Sequence, residues 1–154
     1  MSEIKVKYNE VFVYNKAQFE GCTALMALLG TDELFEEDVP AQVFPCMILH
    51  AIHKVNENHM GIGNTPAPNL SCPFEIVTSS KKSDGTTQTT AEIRELAYNI
   101  MDEAENFIRN NIHWGNSTKY LRAVPGSVTP SIVERGDYRT YHLLGELLLW
   151  VRIY

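Results

Sequence analysis

Long apolar runs are missing from this chain. The longest, such as ALMALL and LLGELLLWV, fall far short of the ~20 residues that cross a bilayer, so no membrane-spanning helix is expected. Clustered basic charge is missing too. Thirteen Lys and Arg against 19 Asp and Glu give a net charge of -6. That balance argues against a groove for nucleic acid, because phosphate contacts need grouped Lys and Arg. Cysteine is scarce: Cys22, Cys46 and Cys72 form no CxxC pair, and three cannot all be bridged within one chain. A reduced, cytosolic origin is the simpler reading. The opening MSEIKVKYNE has no apolar core segment, so no signal peptide is expected. There is no GxSxG and no HExxH. The segment GIGNTPAPN has two glycines, but neither the lysine of a phosphate loop nor the third glycine of a dinucleotide fingerprint.

What is present suits one globular domain. A chain of 154 residues that is 44% hydrophobic and 21% charged has ordinary soluble composition. At this length folding buries roughly 68–70% of the unfolded surface, without a disulfide or metal staple. We expect a single domain over 1–154, with residues 1–14 as an extended N-terminal arm. In that arm Ile4, Val6 and Tyr8 alternate with charged neighbours, and Val11-Phe12-Val13-Tyr14 is rich in strand formers. Phe19, Cys22, Leu25, Met26 and Leu29 then fall at helical spacing, which predicts a short helix at about 16–29 that Gly21 weakens. TDELFEEDVP reads as one acidic helical turn and then a loop.

Residues 42–55 predict a strand, with Pro45 near its start and apolar residues on both faces through Leu49. A long polar loop leads to CPFEIVTSS, a second strand able to return antiparallel beside the first. The clearest element is a helix over 89–110. Thr89 and Glu92 match a capping box, and Ile93, Leu96, Ile100, Met101, Ala104 and Phe107 form its core stripe. STKYLRAV and SVTPSIVE read as strands around Pro125-Gly126, and the tail GELLLWVRIY reads as a terminal strand. The fold class expected is α+β: a mainly antiparallel sheet, with the long helix and a second, shorter one packed on it.

The candidate chemistry sits in VFPCMILHAIHKVNENH, residues 43–59, where His50, His53 and His59 lie close in sequence beside Cys46. On a regular strand His50 and His53, three apart, project to opposite faces. His59 falls in the loop. A half-buried or interface histidine pair is therefore the plainer reading. The alternative is a small metal-dependent enzyme or ligand-binding module using His50, His53 and His59. Cys46, in an apolar strand, is expected to be inert, and the acidic side of the 89–110 helix reads as a solvated face. The tail aromatics read as core or subunit interface.

The order of elements carries a resemblance. A proline-marked apolar strand (VFPCMILHAI), a polar loop, a second strand (CPFEIVTS), one long amphipathic helix (TTAEIRELAYNIMDEAENFI) and an aromatic-apolar closing strand (GELLLWVRIY) resemble the tail terminator, or tail completion, proteins of long-tailed bacteriophages. The likeness covers roughly residues 42–154. The departure is at the front, because such proteins usually open with a helix and residues 3–14 here read as strand. The resemblance implies a non-enzymatic virion protein, assembled in the host cytoplasm, with no cofactor. It implies a homo-oligomeric ring, commonly a hexamer, between the tail tube protein and the head-side connector proteins, with DNA passing through unbound. A head-to-tail ring needs two complementary surfaces. The terminal strand (Trp150, Arg152, Tyr154) and the N-terminal arm (Ile4, Val6, Tyr8) are the segments expected to supply them.

Overall fold

A computed structural model describes residues 7–37, 43–55, 68–81 and 85–151. The first element among the described residues is helix α1, Tyr8–Glu20. The strand expected over residues 3–14 is thus overturned for residues 8–14, while Ile4 and Val6 lie outside the described residues. The reason is tertiary. Val11, Asn15 and Phe19 recur every four residues and are all buried. Each β-branched or aromatic residue in a helix costs only a few tenths of a kcal/mol, whereas burying Val11 and Phe19 contributes about 1.5–3 kcal/mol each. Gly21 ends α1, and α2 is a single turn, Thr23–Met26. The helix expected at 16–29 therefore starts earlier and breaks at its glycine.

The helical turn expected after Thr31 is a strand instead. β1, Phe35–Glu36, runs parallel to β2, Cys46–Leu49, pairing Phe35 with Ile48. Just before it, the Leu34 amide donates to the Glu20 carboxylate at 3.1 Å, which ties the segment to the end of α1. A cis Phe44–Pro45 bond precedes β2. The strand expected over 42–55 is interrupted, with β3, His53–Lys54, resuming after three residues. Both pieces pair antiparallel with β4, Leu70–Ser79, as expected for the second strand.

Helix α3, Thr90–Arg109, carries the predicted capping box: the Thr89 hydroxyl accepts from the Glu92 amide, and the Glu92 carboxylate accepts from the Thr89 amide. Ile93, Ala97, Ile100, Met101, Ala104 and Ile108 are its buried stripe, with Leu96 and Phe107 packed at its margin. Strands β5 (Tyr120–Pro125), β6 (Thr129–Glu134) and β7 (Arg139–Val151) follow α3. The sheet order is β1-β2-β4-β7-β5, with β3 alongside β4 and β6 alongside β7. Apart from β1 with β2, every pairing of named strands is antiparallel. The protein is an α+β fold, and its core cluster draws on residues from Val11 to Val151.

β7 is an inner strand, paired with β4 on one side and with β5 and β6 on the other. It offers no free edge, so the expectation of an exposed terminal strand fails for its described part. Trp150 is 8% exposed, and the Arg122 guanidinium lies 5.3 Å from its ring centroid. Arg152 and Tyr154 lie outside the described residues, and Tyr8 is the exposed first residue of α1. Period-2 alternation also divides the sheet into unlike faces. Phe74, Ile76, Leu143 and Leu147 face the helices. A Cβ on Gly145 would lie 2.8 Å from both Met101 Cε and Phe74 Cζ, so α3 and the sheet touch directly there. Glu75, His142 and Glu146 alternate with these residues and project from the opposite face.

Candidate functional site on the polar sheet face

Glu75 is a charged residue at the middle of a strand whose other residues are mostly apolar and buried. Its cross-strand partners are Ile48 on β2 and Leu144 on β7. The next pairs along the sheet are Val77 with His142 and, by hydrogen bond, the Pro73 carbonyl with the His50 amide. The two imidazoles therefore stand diagonally to either side of one carboxylate, within reach of a side chain of this length. His142 Nδ1 lies 2.6 Å from Glu75 Oε2, and His50 Nε2 lies 3.1 Å from Glu75 Oε1. His142 Nε2 is 2.7 Å from the Thr140 hydroxyl, which also accepts from Arg135 Nε at 3.4 Å. On the far side, His50 Nδ1 is 4.0 Å from Glu37 Oε2.

A carboxylate only accepts, so the ring atoms facing Glu75 carry N–H. That fixes neutral His142 with a proton on Nδ1, leaving Nε2 to accept from Thr140. The His142 hydrogen bond, joined by the one from His50, holds the Glu75 carboxyl below its ordinary range against the opposing effect of burial. Its charge has a neighbour to perturb. The Cys46 thiol is pushed up to about 12, chiefly by burial and further by Glu75. Cys72 is likewise pushed up to about 12 by burial, partly offset by an Asn15 hydrogen bond and reinforced by Glu146. Neither thiol is a nucleophile at neutral pH.

Hydroxyl, imidazole and carboxylate in sequence (Thr140, His142, Glu75) have the order of a nucleophile, its base and an orienting acid. Access decides against that chemistry. Thr140 is 1% exposed and His142 9%, so no substrate carbonyl reaches the hydroxyl. The arrangement holds protons in place across three strands.

Of the two described histidines that the sequence singled out, His50 belongs to this network and His53 does not. His53 is an exposed residue of β3, and His59 lies outside the described residues. Nor do His50 and His53 point apart, as regular strand geometry predicts. From Leu49↔Phe74 to His53↔Ser71 one strand advances four residues and its partner three. That bulge returns His53 to the face that carries His50. Among the described residues, no group of three or more His, Cys, Asp or Glu is placed to hold a metal ion. Glu75 and His142 were not anticipated. Each interrupts an apolar alternation, in CPFEIV and in YHLLGELLLWV, and that interruption is the signal that could have found them.

Glu75→Gln tests the carboxylate's role. Its lowered folded pKa means that the stabilisation is fully present above the unfolded value of about 4.3. It is lost as pH falls through the folded value. Denaturant unfolding should show the variant weaker by about 1–3 kcal/mol at neutral pH, with the gap closing under acid. An equal gap at every pH would mean that charge is not what Glu75 contributes.

Against known proteins, no family model matches this chain and no curated sequence matches it.

Proposed function

We propose that this protein is a structural subunit of a ring at the head-proximal end of a bacteriophage tail, a tail terminator or neck component. The observation that carries the reading is helix α1, Tyr8–Glu20. The tail terminator proteins that the sequence resembles usually open with a helix, and the strand-like reading of residues 3–14, overturned for residues 8–14, was the one departure from their order. With α1 in place the order runs helix, proline-marked β2, β4, long α3 and closing β7, the last three all in contact. The net charge of -6 suits a subunit that lines a DNA conduit, since like charges repel and the polymer slides past.

The contact surfaces follow from the sheet. β7 is internal, so a ring uses the sheet's two unlike edges, β1 at one end of the order and β5 with β6 at the other. Edge joined to unlike edge is a head-to-tail contact, the kind that closes into a ring. β6 is exposed along nearly its whole length, and Ile132 is 50% exposed, an invitation to a further strand. Ile132→Lys should leave thermal stability within about 0.5 kcal/mol of the parent, while abolishing rings in electron micrographs of protein mixed with polymerised tail tube. Rings that form unchanged with lysine there would remove this edge from the contact. A tube that is never capped, even by the parent protein, would remove the function itself.

A further inference from the structure

The polar sheet face carries a chain of protons with unlike ends. In its neutral form every link has a direction. Arg135 Nε–H donates to Thr140 Oγ1, the Thr140 hydroxyl donates to His142 Nε2, and His142 Nδ1–H donates to Glu75. From the other side His50 Nε2–H donates to the same carboxylate. We propose that this relay is a two-ended proton switch, in which charging the histidines loosens the turn between β6 and β7 and tightens the end of β1.

The two ends respond oppositely because their outer neighbours differ. When His142 gains a proton, both ring nitrogens become donors. Its Nε2–H now points at Thr140 Oγ1, the hydroxyl must turn away, and imidazolium and guanidinium converge on one oxygen. The Arg135 contact, already long at 3.4 Å, is the one that yields. Arg135 belongs to the turn at 135–138, which is otherwise held by its own amide donating to the Tyr138 carbonyl, by the paired Glu134 and Arg139 that flank it with an ion pair at 3.6 Å, and by an exposed Lys81–Asp137 pair at 3.7 Å. When His50 gains a proton, its Nδ1 acquires an N–H facing Glu37 Oε2 across 4.0 Å. Glu37 already accepts from the Ala51 amide, so the new ion pair draws the end of β1 against β2.

Among the described residues these are the governing charges. His142 faces Glu75 from β4 and Arg135 through Thr140, and its cross-strand partners Val77 and Ser131 are uncharged. His50 faces Glu75 and Glu37, and the Cys46 thiol beside Glu75 stays protonated. The helices pack on the opposite face. The hydrogen bonds from the two rings hold the Glu75 carboxyl below its ordinary range, so an anion faces both rings as acid is added.

Hydrogen exchange of the intact protein at about pH 7.5 and about pH 5.5, corrected for intrinsic rates, reads both ends. Protection at 135–139 should fall roughly threefold to tenfold on acidification, while protection at 35–37 and 50–51 rises. His142→Gln should abolish the first change and keep the second, and Glu37→Gln should do the reverse. A wild-type NMR titration supplies a readout that survives any failure of a variant to fold. The Arg135 Nε–H resonance should shift with the same midpoint as the His142 ring protons. An Arg135 signal indifferent to His142, or both ends moving in the same direction, would overturn the proposal.

Discussion

Ile100→Asp is expected to unfold the protein. Ile100 is 0% exposed at the middle of α3, beside Met101 and Ala97 in the stripe that meets the sheet. Near this contact Met101 Cε approaches the Gly145 backbone closely enough that even a methyl group would collide. An aspartate there would sit within the hydrophobic core cluster, shut off from water. Burying it ionised is prohibitive, and burying it protonated still leaves a polar group without partners, at several kcal/mol. Loss of the isoleucine side chain adds about 2–5 kcal/mol more. Together these approach the roughly 5–15 kcal/mol that holds a domain folded. Circular dichroism should show lost helix, and size exclusion an expanded or aggregated chain. Ile100→Val should cost only about 0.5–1.5 kcal/mol and remain folded. An Asp variant with unchanged thermal stability would mean that α3 does not lie on the sheet.

Trp114→Ala should be the next most damaging change, at about 3–5 kcal/mol. Trp114 is fully buried and joins the front of the chain to its middle. Its ring meets Phe19 at 5.2 Å and Phe107 at 5.6 Å between centroids, edge to face in both cases. Its indole N–H donates to Asn15 Oδ1 at 2.8 Å. Its carbonyl accepts from the Tyr14 hydroxyl and from Gln18 Nε2, and those two bonds survive any side-chain change. Alanine therefore removes the ring and leaves the Oδ1 of Asn15, a residue 3% exposed, without its indole donor, while leaving the backbone anchor intact. Trp114→Phe helps to separate the two effects, because it keeps an aromatic ring and loses the donor with part of the indole's volume, the donor alone being worth about 1–3 kcal/mol. Chemical denaturation of both variants gives the comparison. If Phe proves as damaging as Ala, the hydrogen bond and not the aromatic contact fastens α1.

These two residues mark how far the sequence could be read. Ile100 lies in an element whose signals are local: a capping box and an unbroken helical stripe within 20 residues. β2 with β4 was equally legible, since two apolar strands joined by a polar loop are natural antiparallel partners. Trp114 was not singled out, because its importance depends on Asn15 and Phe19, about a hundred positions away. The same distance hid α1. VFVY is strand-like on its own, and only the burial of Val11 and Phe19 in the core makes it helical. The candidate site fell to the same limit. His50 stood out by its company in the sequence, yet its true companions are set by the register of β4 with β7. That register pairs Val77 with His142, and no local pattern encodes it. The bulge before β3 is similarly invisible, although it reverses where His53 points.

Native mass is the most direct test of the ring proposal. The protein should be weighed alone and after incubation with a polymerised tail tube from a long-tailed phage. The expected result is a closed particle on the tube end whose mass is an integral multiple of 17.4 kDa, six-fold in the hexameric case, whether or not the free protein is a monomer. A strict monomer in both conditions, with the tube left uncapped, would contradict it.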